Sequence, residues 1–313
     1  MLWIYLAIGG YFFLALAALG DRLLLASSTV DPVKYVFLIG VLGGVGASII
    51  SAVNFILPDL LGLNFIFSGN YLYAFASAFA AGIFYVLALF AYFSILNKVE
   101  SSRVVPSIGA LIPLFTLIFA AIFLRQEIIS YHLLAFLVLV SGAFFVSYKD
   151  RKSSLVFDKN IVLILFAALF FSVHFILVKN AYNHLPFIEA LVFMQFGFAF
   201  AGFALYALFK KKYSAQTSKN TASFAVSPLF VFVNQFFGLI GGGLLQYAIF
   251  KGNVVLVNAM QGIQYAFLFL ALFIGSYFWA KLLNESYSRR MLFMKLIGVI
   301  LIASGIALIS FKS

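Results

Sequence analysis

Long apolar runs follow one another along the whole chain, and short clusters of charged residues, proline, asparagine or serine separate them. Each run has the length that an α-helix needs to cross about 30 Å of hydrocarbon at about 1.5 Å per residue. The pattern predicts an all-α integral membrane protein with ten transmembrane helices, at 2–25, 33–57, 71–97, 102–124, 131–148, 161–183, 187–209, 226–250, 253–279 and 292–311.

The composition agrees with this prediction and excludes a soluble fold. Hydrophobic residues make up 65% of the 313 residues and charged residues only 9%, whereas soluble domains carry roughly a quarter charged residues. The first apolar run lacks the basic start of a signal peptide, so we expect helix 1 to be retained. The chain has no cysteine, which excludes disulfides, thiolate metal sites and cysteine nucleophiles.

The end of the fifth predicted helix is repeated at the end of the tenth. LVSGAFFVSYK at Leu139–Lys149 returns as IASGIALISFK at Ile302–Lys312, 163 positions later. We therefore predict two five-helix repeats, at 1–150 and 151–313. Because each repeat has an odd number of spans, the second enters the membrane from the opposite side, so the repeats are inverted. A proline before each second helix and a lone glutamate after each fourth helix agree with this division: Pro32, Pro186, Glu127 and Glu285.

The basic residues predict an orientation. The chain has a formal net charge of +11, and the loops after odd-numbered predicted helices hold sixteen of its 20 Lys and Arg residues, against four on the other side. The positive-inside rule places the richer side in the cytoplasm and both termini outside. The basic runs lack the interleaved aromatic residues of a nucleic-acid groove, so we do not expect nucleic acid as a partner.

Three stretches carry a resemblance to a known family: VPSIGALIPLFTLIFAAIFLRQE at 105–127, VSGAFFVSY at 140–148 and SVHFILVK at 172–179. They resemble the proline and helix-end glutamate of the fourth helix, the glycine-containing fifth helix and the small-x-Asn-Phe stretch of the drug/metabolite transporter superfamily, in its ten-helix EamA-like branch. His174 stands where asparagine is common. The resemblance covers nearly the whole chain and implies two inverted repeats around a central cavity, lined mainly by helices 1, 3, 4, 6, 8 and 9, that work by alternating access. Members of this branch usually have cytoplasmic termini, in contrast to the charge distribution here.

Buried amides mark two predicted helices as candidates for a substrate path. Helix 9 carries Asn258, Gln261 and Tyr265 at i, i+3 and i+7, which share one helical face, with Gln264 beside them. Helix 8 carries a second such face, formed by Gln235, Gly238, Gly242 and Gln246. Amides in an apolar span are costly unless they meet water, a ligand or each other. They line a cavity or hold helices together.

The remaining candidates lie on helices 3, 4 and 6. In helix 4, Pro106, Gly109 and Pro113 have the spacing that helix 9 fills with its polar residues, and we interpret them as a kink that is structural or acts as a gating hinge. Tyr85 of helix 3 is a candidate for substrate contact. Histidine changes charge near physiological pH, so His174 could carry a coupled proton; the alternative is a neutral, hydrogen-bonded core histidine.

Together these patterns predict a secondary transporter in the cell membrane that moves a small organic metabolite, such as an amino acid or another neutral, zwitterionic or amphipathic compound. The expected partners are this substrate and the lipid bilayer, with a homodimer allowed. We expect no catalytic residues, no metal site and no cofactor, because the chain carries no enzyme motif. The alternative functions are a non-transporting membrane scaffold or partner subunit, and a flippase for a lipid-linked carrier.

Overall fold

The computed structural model describes residues 1–27, 32–57, 63, 70–96, 101–125, 130–148, 160–217, 228–278 and 288–310. Within these ranges the regular structure is entirely helical. The helices are α1 (Leu2–Ser27), α2 (Pro32–Ile56), α3 (Asn70–Leu96), α4 (Ser101–Phe123), α5 (Ser130–Val146), α6 (Asn160–Tyr182), α7 (Phe187–Thr217), α8 (Pro228–Lys251), α9 (Val254–Ala259), α10 (Gly262–Phe278) and α11 (Arg289–Ser310).

Many of these helices can cross a membrane. Seven segments of the described chain are long and apolar enough to do so: Leu2–Gly20, Pro32–Ile56, Tyr71–Ile95, Ile161–Tyr182, Phe187–Phe209, Val254–Ala271 and Arg289–Ser310. Large apolar side chains such as Ile49, Phe203 and Leu239 are exposed, and only lipid makes such a surface favourable. The chain is therefore a multi-pass all-α membrane protein, which confirms the broad fold class predicted from the sequence.

The observed helix bounds agree with the predicted segments where a run ends in a clear polar break, as at α2 and α6. Two elements differ. α7 continues to Thr217, beyond the predicted end at 209, because the lysines, alanine and glutamine that follow are good helix formers. The predicted helix at 253–279 is interrupted after Ala259 and forms α9 and α10. Glu127 and Glu285 lie outside the described residues.

The described helices form two compact units, and each unit combines helices of both predicted repeats. Unit 1 contains α1, α5 and α8 to α11. In it, α1 packs against α8 and α10, and α5 packs against α11 and α10. Lys295 of α11 donates to the carbonyl of Val146 at the end of α5 over 2.7 Å, and the hydroxyl of Tyr131 donates to the carbonyl of Leu308 near the end of α11. Lys295 and Tyr131 thus bond to carbonyls in the last turns of α5 and α11, which have no hydrogen-bond partner within their own helix.

Unit 2 contains α2, α3, α4, α6 and α7. In it, α3 packs against α6 and α7, α2 against α7, and α4 against α6. The closest backbone approach joins α3 to α7, where a Cβ built on Gly82 would lie 2.8 Å from the Cα of Gly197. The core beside α4 consists of buried apolar side chains: Ala91, Ile95, Val104, Ile108, Ile112, Ala167 and Ala168. Small residues and close-packed apolar side chains therefore hold this unit together.

One helix pair in unit 1 makes contacts that are reciprocal in sequence. A Cβ built on Gly142 of α5 would lie 2.7 Å from Cγ1 of Ile302, and one built on Gly305 of α11 would lie 2.7 Å from Cγ of Leu139. Positions 139 and 142 precede 302 and 305 by 163 residues. Each helix thus presents the same two positions to the other, as around a local two-fold axis.

One helix pair in unit 2 shows the same reciprocity. A Cβ built on Gly40 of α2 would lie 2.8 Å from the carbonyl oxygen of Phe198, and one built on Gly202 of α7 would lie 3.0 Å from that of Val36. The offset between these positions is 162 residues. Two helix pairs, one in each unit, therefore share nearly the same offset as the repeated stretch.

Candidate functional site

The candidate site is built around the break in the predicted ninth helix. α8 ends at Lys251, and the side-chain oxygen of Asn253 then accepts hydrogen bonds from the backbone N–H groups of Val255 (2.9 Å) and Leu256 (3.2 Å). This arrangement is an N-cap, which satisfies donors that have no partner in the first turn of a helix. It allows α9 to begin immediately after a very short link.

α9 has only six residues, and the α-helical bonding pattern stops where it ends. Backbone N–H groups there bond three residues back instead of four: Gln261 to Asn258 at 3.1 Å, Ile263 to Met260 at 2.9 Å and Gln264 to Gln261 at 3.0 Å. Tight turns of this kind inside a longer helix mark a change of direction or a hinge. Within a membrane span, irregular backbone is tolerated only where it is buried in protein or lines a water-filled cavity.

The break alters the predicted polar face of helix 9. The predicted face ran along one uninterrupted helix, whereas Asn258 lies in α9, Gln261 in the turn and Tyr265 in α10. The polar side chains nevertheless remain close to the break along the chain. Asn258 and Tyr265 are buried, whereas Gln261 and Gln264 are half-buried. The break is therefore surrounded by amide and phenol groups.

Helix α1 makes a side-chain hydrogen bond to each side of the break. The hydroxyl of Tyr11, which is 3% exposed, donates to the carbonyl of Val257 in α9 over 2.8 Å. The side-chain amide of Gln264 in α10 donates to the carbonyl of Leu14 over 3.3 Å. Tyr11 and Leu14 lie one helical turn apart and so face the same way.

The predicted amides of α8 fall into two classes of burial. Gln235 and Gln246 are half-buried, whereas the neighbouring Asn234 is buried. Asn234 packs directly on Gly20 of α1, because a Cβ built on Gly20 would lie 2.6 Å from its Cγ. Asn234 therefore serves helix packing, and the two glutamines keep part of their surface accessible.

The two glycines on the predicted face of α8, Gly238 and Gly242, have open space around them. Gly238 has Cβ of Ala17 as its nearest neighbour, at 3.9 Å from a built Cβ, and Gly242 has nothing within 4 Å. α8 is continuous through both positions. Gly241 approaches α1 closely instead, because a Cβ built on it would lie 2.9 Å from the carbonyl oxygen of Gly10. The close contact with α1 is therefore made by Gly241 and not by Gly238 or Gly242, which point in other directions around α8.

Tyr85 and His174 meet in unit 2. Their ring centroids are 5.0 Å apart, and Tyr85 also stacks on Phe198 at 4.7 Å. His174 is fully buried, with Nδ1 2.9 Å from the carbonyl oxygen of Ala81. A carbonyl only accepts hydrogen bonds, so Nδ1 carries a proton. This geometry agrees with the interpretation of a hydrogen-bonded core histidine, and proton coupling stays a prediction.

α4 is continuous through its predicted kink region. Gly109 and Pro113 are buried in it, and the hydroxyl of Ser172 lies 3.1 Å from the carbonyl oxygen of Ile112. The backbone of Pro106 belongs to the helix, but its side chain lies outside the described part of the structure. The interruption therefore occurs in the counterpart helix, the predicted ninth, rather than in α4.

Two polar residues of α7 carry features that the sequence did not predict. Glu189 is buried in the first turn, where the helix dipole favours a carboxylate. Its position three residues after Pro186 was the signal available. Oε1 of Gln195 is buried without a hydrogen-bond partner in the described structure and packs against Gly43, whose built Cβ would lie 2.7 Å away.

The predicted site residues are thus divided between the two units. Unit 1 holds Gln235, Gln246, Asn258, Gln261, Gln264 and Tyr265, and unit 2 holds Tyr85, His174, Gly109 and Pro113. Within the described ranges, no three His, Cys, Asp or Glu side chains are grouped to hold a metal ion. Amides and phenols of this kind bind polar solutes through hydrogen bonds.

No family model matches the chain, and no curated protein matches its sequence. Sixteen solved chains match its fold. One of them, known from a crystal structure, aligns with a TM-score of 0.63 and 16% sequence identity over 97% of this chain and 95% of that chain. At this identity the likeness concerns the fold alone. Nearly the whole chain therefore follows an arrangement that is also known from experiment.

Proposed function

We propose that this chain is a secondary transporter for a small neutral or zwitterionic organic molecule, such as an amino acid, or for an amphipathic compound. The observation that carries the proposal is the break between α9 and α10 inside a membrane span, with Asn258, Gln261 and Tyr265 around it. Discontinuous helices at membrane depth form the substrate and ion sites of many secondary transporters. A purely structural span gains nothing from such an interruption.

The chemistry around the break supports a substrate without strong net charge. The nearby polar side chains are amides and phenols, and the described lysines of unit 1 lie elsewhere. Lys251, at the end of α8, is 4.9 Å from the ring centroid of Phe250. Lys295 bonds to Val146 and is 4.9 Å from the ring centroid of Phe269. A phosphate ester would require Arg or Lys clamps at the site.

The proposal includes ten spans arranged as two inverted repeats, 1–150 and 151–313, in the manner of the EamA-like drug/metabolite transporters. The reciprocal contacts of α5 with α11 and of α2 with α7 support it, because corresponding helices of inverted copies meet around a two-fold axis. The pairing of α1 with α8 in unit 1 and of α6 with α3 in unit 2 supports it further. In each pair, the first helix of one copy meets the third of the other. The charge distribution supports external termini.

The repeat makes a testable prediction for α5 and α11. Gly142→Ala and Gly305→Ala should each lower the free energy of unfolding by about 1–2 kcal/mol, because both place a methyl group against the partner helix. Gly142→Ala should be the more costly of the two, because its methyl group would also lie 2.9 Å from the backbone oxygen of Gly298, whereas that of Gly305→Ala would meet mainly the side chain of Leu139. Thermal unfolding in detergent measures both losses, with Gly46→Ala as the control because no atom lies within 4 Å of its built Cβ. A severe loss at one position and none at the other would contradict equivalent packing.

A scaffold function is less well supported. A scaffold would use its amides only to join helices, and would bury them. Asn234 and Asn258 are buried in this way. Four glutamines are not, although they lie in α8, α10 or the break: Gln235, Gln246, Gln261 and Gln264. Their accessible surface fits contact with a solute that enters and leaves, and alternating access would supply the two states.

Uptake into proteoliposomes tests the proposed function. A thermal-shift screen of amino acids, nucleosides and sugars would first select a substrate. The double variant Gln235→Ala with Gln261→Ala should then lower uptake at subsaturating substrate by at least about fivefold, because two hydrogen-bonding groups are lost. Gln195→Ala, which removes a glutamine of unit 2, is the matched control and should retain uptake. Unchanged uptake in the double variant would remove the assigned site.

A further inference from the structure

Helix α1 hydrogen-bonds to both sides of the break between α9 and α10, while α5 packs beside it, since a Cβ built on Gly262 would lie 2.9 Å from Cβ of Ala143. On one side Tyr11 of α1 donates to Val257 over 2.8 Å, and on the other Gln264 donates to Leu14 of α1 over 3.3 Å. The two hydrogen bonds have opposite directions: α1 donates its Tyr11 hydroxyl to α9, and its Leu14 carbonyl accepts from the side-chain amide of Gln264 in α10. The two bonds thus enclose Met260 and Gln261, where the helix turns.

Tyr11 lies deep within its predicted span, where its hydroxyl cannot exchange the bond to Val257 for one to bulk water. It lies nine residues after the start of α1, or about 14 Å along the helix axis, close to the middle of a span of about 30 Å. The side chain is 3% exposed. A buried hydroxyl without its acceptor would be unfavourable in hydrocarbon, so the bond to Val257 is expected to persist as long as α1 and α9 keep their positions.

The same stretch of α1 also packs closely against α8. Gly10 and Gly241 approach each other so closely that a Cβ built on Gly10 would lie 3.0 Å from the carbonyl oxygen of Gly241. Gly241 in turn faces the backbone nitrogen of Leu14, at 2.9 Å from its built Cβ. α1 is therefore a firmly packed support at the height where it bonds to both half-helices.

We propose that α1 is a splint across the break, and that Tyr11 and Gln264 are positioning residues that set the angle between α9 and α10. Neither residue needs to touch the substrate for this role. Removing the Tyr11 hydroxyl frees α9 to pivot about the turn at Met260 and Gln261, while the packing of α1 on α8 stays intact. The effect on transport rests on the proposed function, whereas the effect on the angle does not.

The chain has no cysteine, so spin labels can be attached at chosen positions without removing native residues. Lys251→Cys, at the end of α8, and Leu270→Cys, exposed on α10, report the position of α10, beyond the break, relative to α8, which stays packed on α1. Distances between the two labels are measured by pulsed electron paramagnetic resonance in nanodiscs. In the parent chain one narrow distance distribution is expected.

Tyr11→Phe should increase the population of distances outside the parent distribution by about three- to tenfold, which corresponds to one lost buried hydrogen bond. Gln264→Leu should act in the same direction. Tyr5→Phe is the matched control, because Tyr5 lies on the same helix and is 69% exposed. A second label pair at Val162 and Asn183, flanking most of α6 in unit 2, should not respond to any of these changes.

Two results would overturn the splint: the same distribution in Tyr11→Phe as in Tyr5→Phe, or equal broadening at both label pairs, which would indicate general loosening. In uptake assays the splint predicts that Tyr11→Phe lowers the maximal rate more than it raises KM. The distance measurement needs no substrate. A parent chain that transports nothing would therefore overturn the proposed function and leave the splint standing.

Discussion

Gly82→Ala is expected to lower the free energy of unfolding by about 3 kcal/mol or more. The new methyl group would lie 2.8 Å from the Cα of Gly197 and 2.9 Å from the backbone nitrogen of Phe198, and closer still to the carbonyl oxygen of Met194. All of these are backbone atoms of α7, so no side chain can rotate away. Gly197→Ala faces the same obstacle from the other helix, because its Cβ would meet the carbonyl of Phe79.

Thermal unfolding in detergent measures this loss, and we expect the melting temperature of Gly82→Ala to fall by at least about 6 °C. Gly243→Ala is the control, since a Cβ there has no neighbour within 4 Å. In a helix, alanine replaces glycine favourably by about 1 kcal/mol when nothing is in the way. A variant Gly82→Ala that melts with the parent would show that α3 and α7 are not in direct backbone contact.

His174→Ala is expected to cost about 3 kcal/mol of stability, because it leaves a cavity and removes the donor to the carbonyl of Ala81. His174→Asn retains an amide donor and should recover much of this loss. The melting temperatures of the two variants measure the difference. Phe200→Ala, which shortens an exposed side chain of α7, should have a small effect by comparison.

The same two variants separate a core histidine from a proton carrier. Asparagine does not titrate, so a proton-carrying His174 would lose pH-dependent uptake in His174→Asn even if the protein folds. A core histidine would leave the pH profile of uptake unchanged in that variant. The buried ring and its carbonyl partner favour the second result. Loss of the pH dependence with normal folding would revise this assignment.

The helices themselves were largely predictable, because each span consists of a long apolar run that ends at polar residues. The predicted seventh segment, 187–209, coincides with the apolar span Phe187–Phe209, and the helix continues to Thr217 because Lys210 to Thr217 contain nothing that breaks a helix. The repeat at 139–149 and 302–312 was visible because serine, glycine and lysine coincide. The glycine contact between Gly40 and Gly202 was not, because the residues around these positions differ between α2 and α7.

The break in the ninth predicted helix could not be predicted from local sequence. The run from 253 to 279 contains no proline, and its amides and Gly262 are tolerated within a helix, so nothing in it demands a stop at Ala259. What distinguishes the position is tertiary: the bonds that α1 makes to Val257 and from Gln264. The amides were recognisable from the sequence, whereas the interruption between them was not. Long-range contacts of this kind leave no periodic signal.

The bond from Tyr11 to Val257 also fixes an order of events during synthesis. The two residues are 246 positions apart, so at a translation rate of roughly 5–20 residues per second the first helix waits some 12 to 50 seconds for its partner. Unit 2 has all of its helices once α7 is made, whereas unit 1 is complete only after α11. α1 is thus made well before α8, α9 and α10, its neighbours in unit 1, and must remain in the membrane without these contacts until they are made.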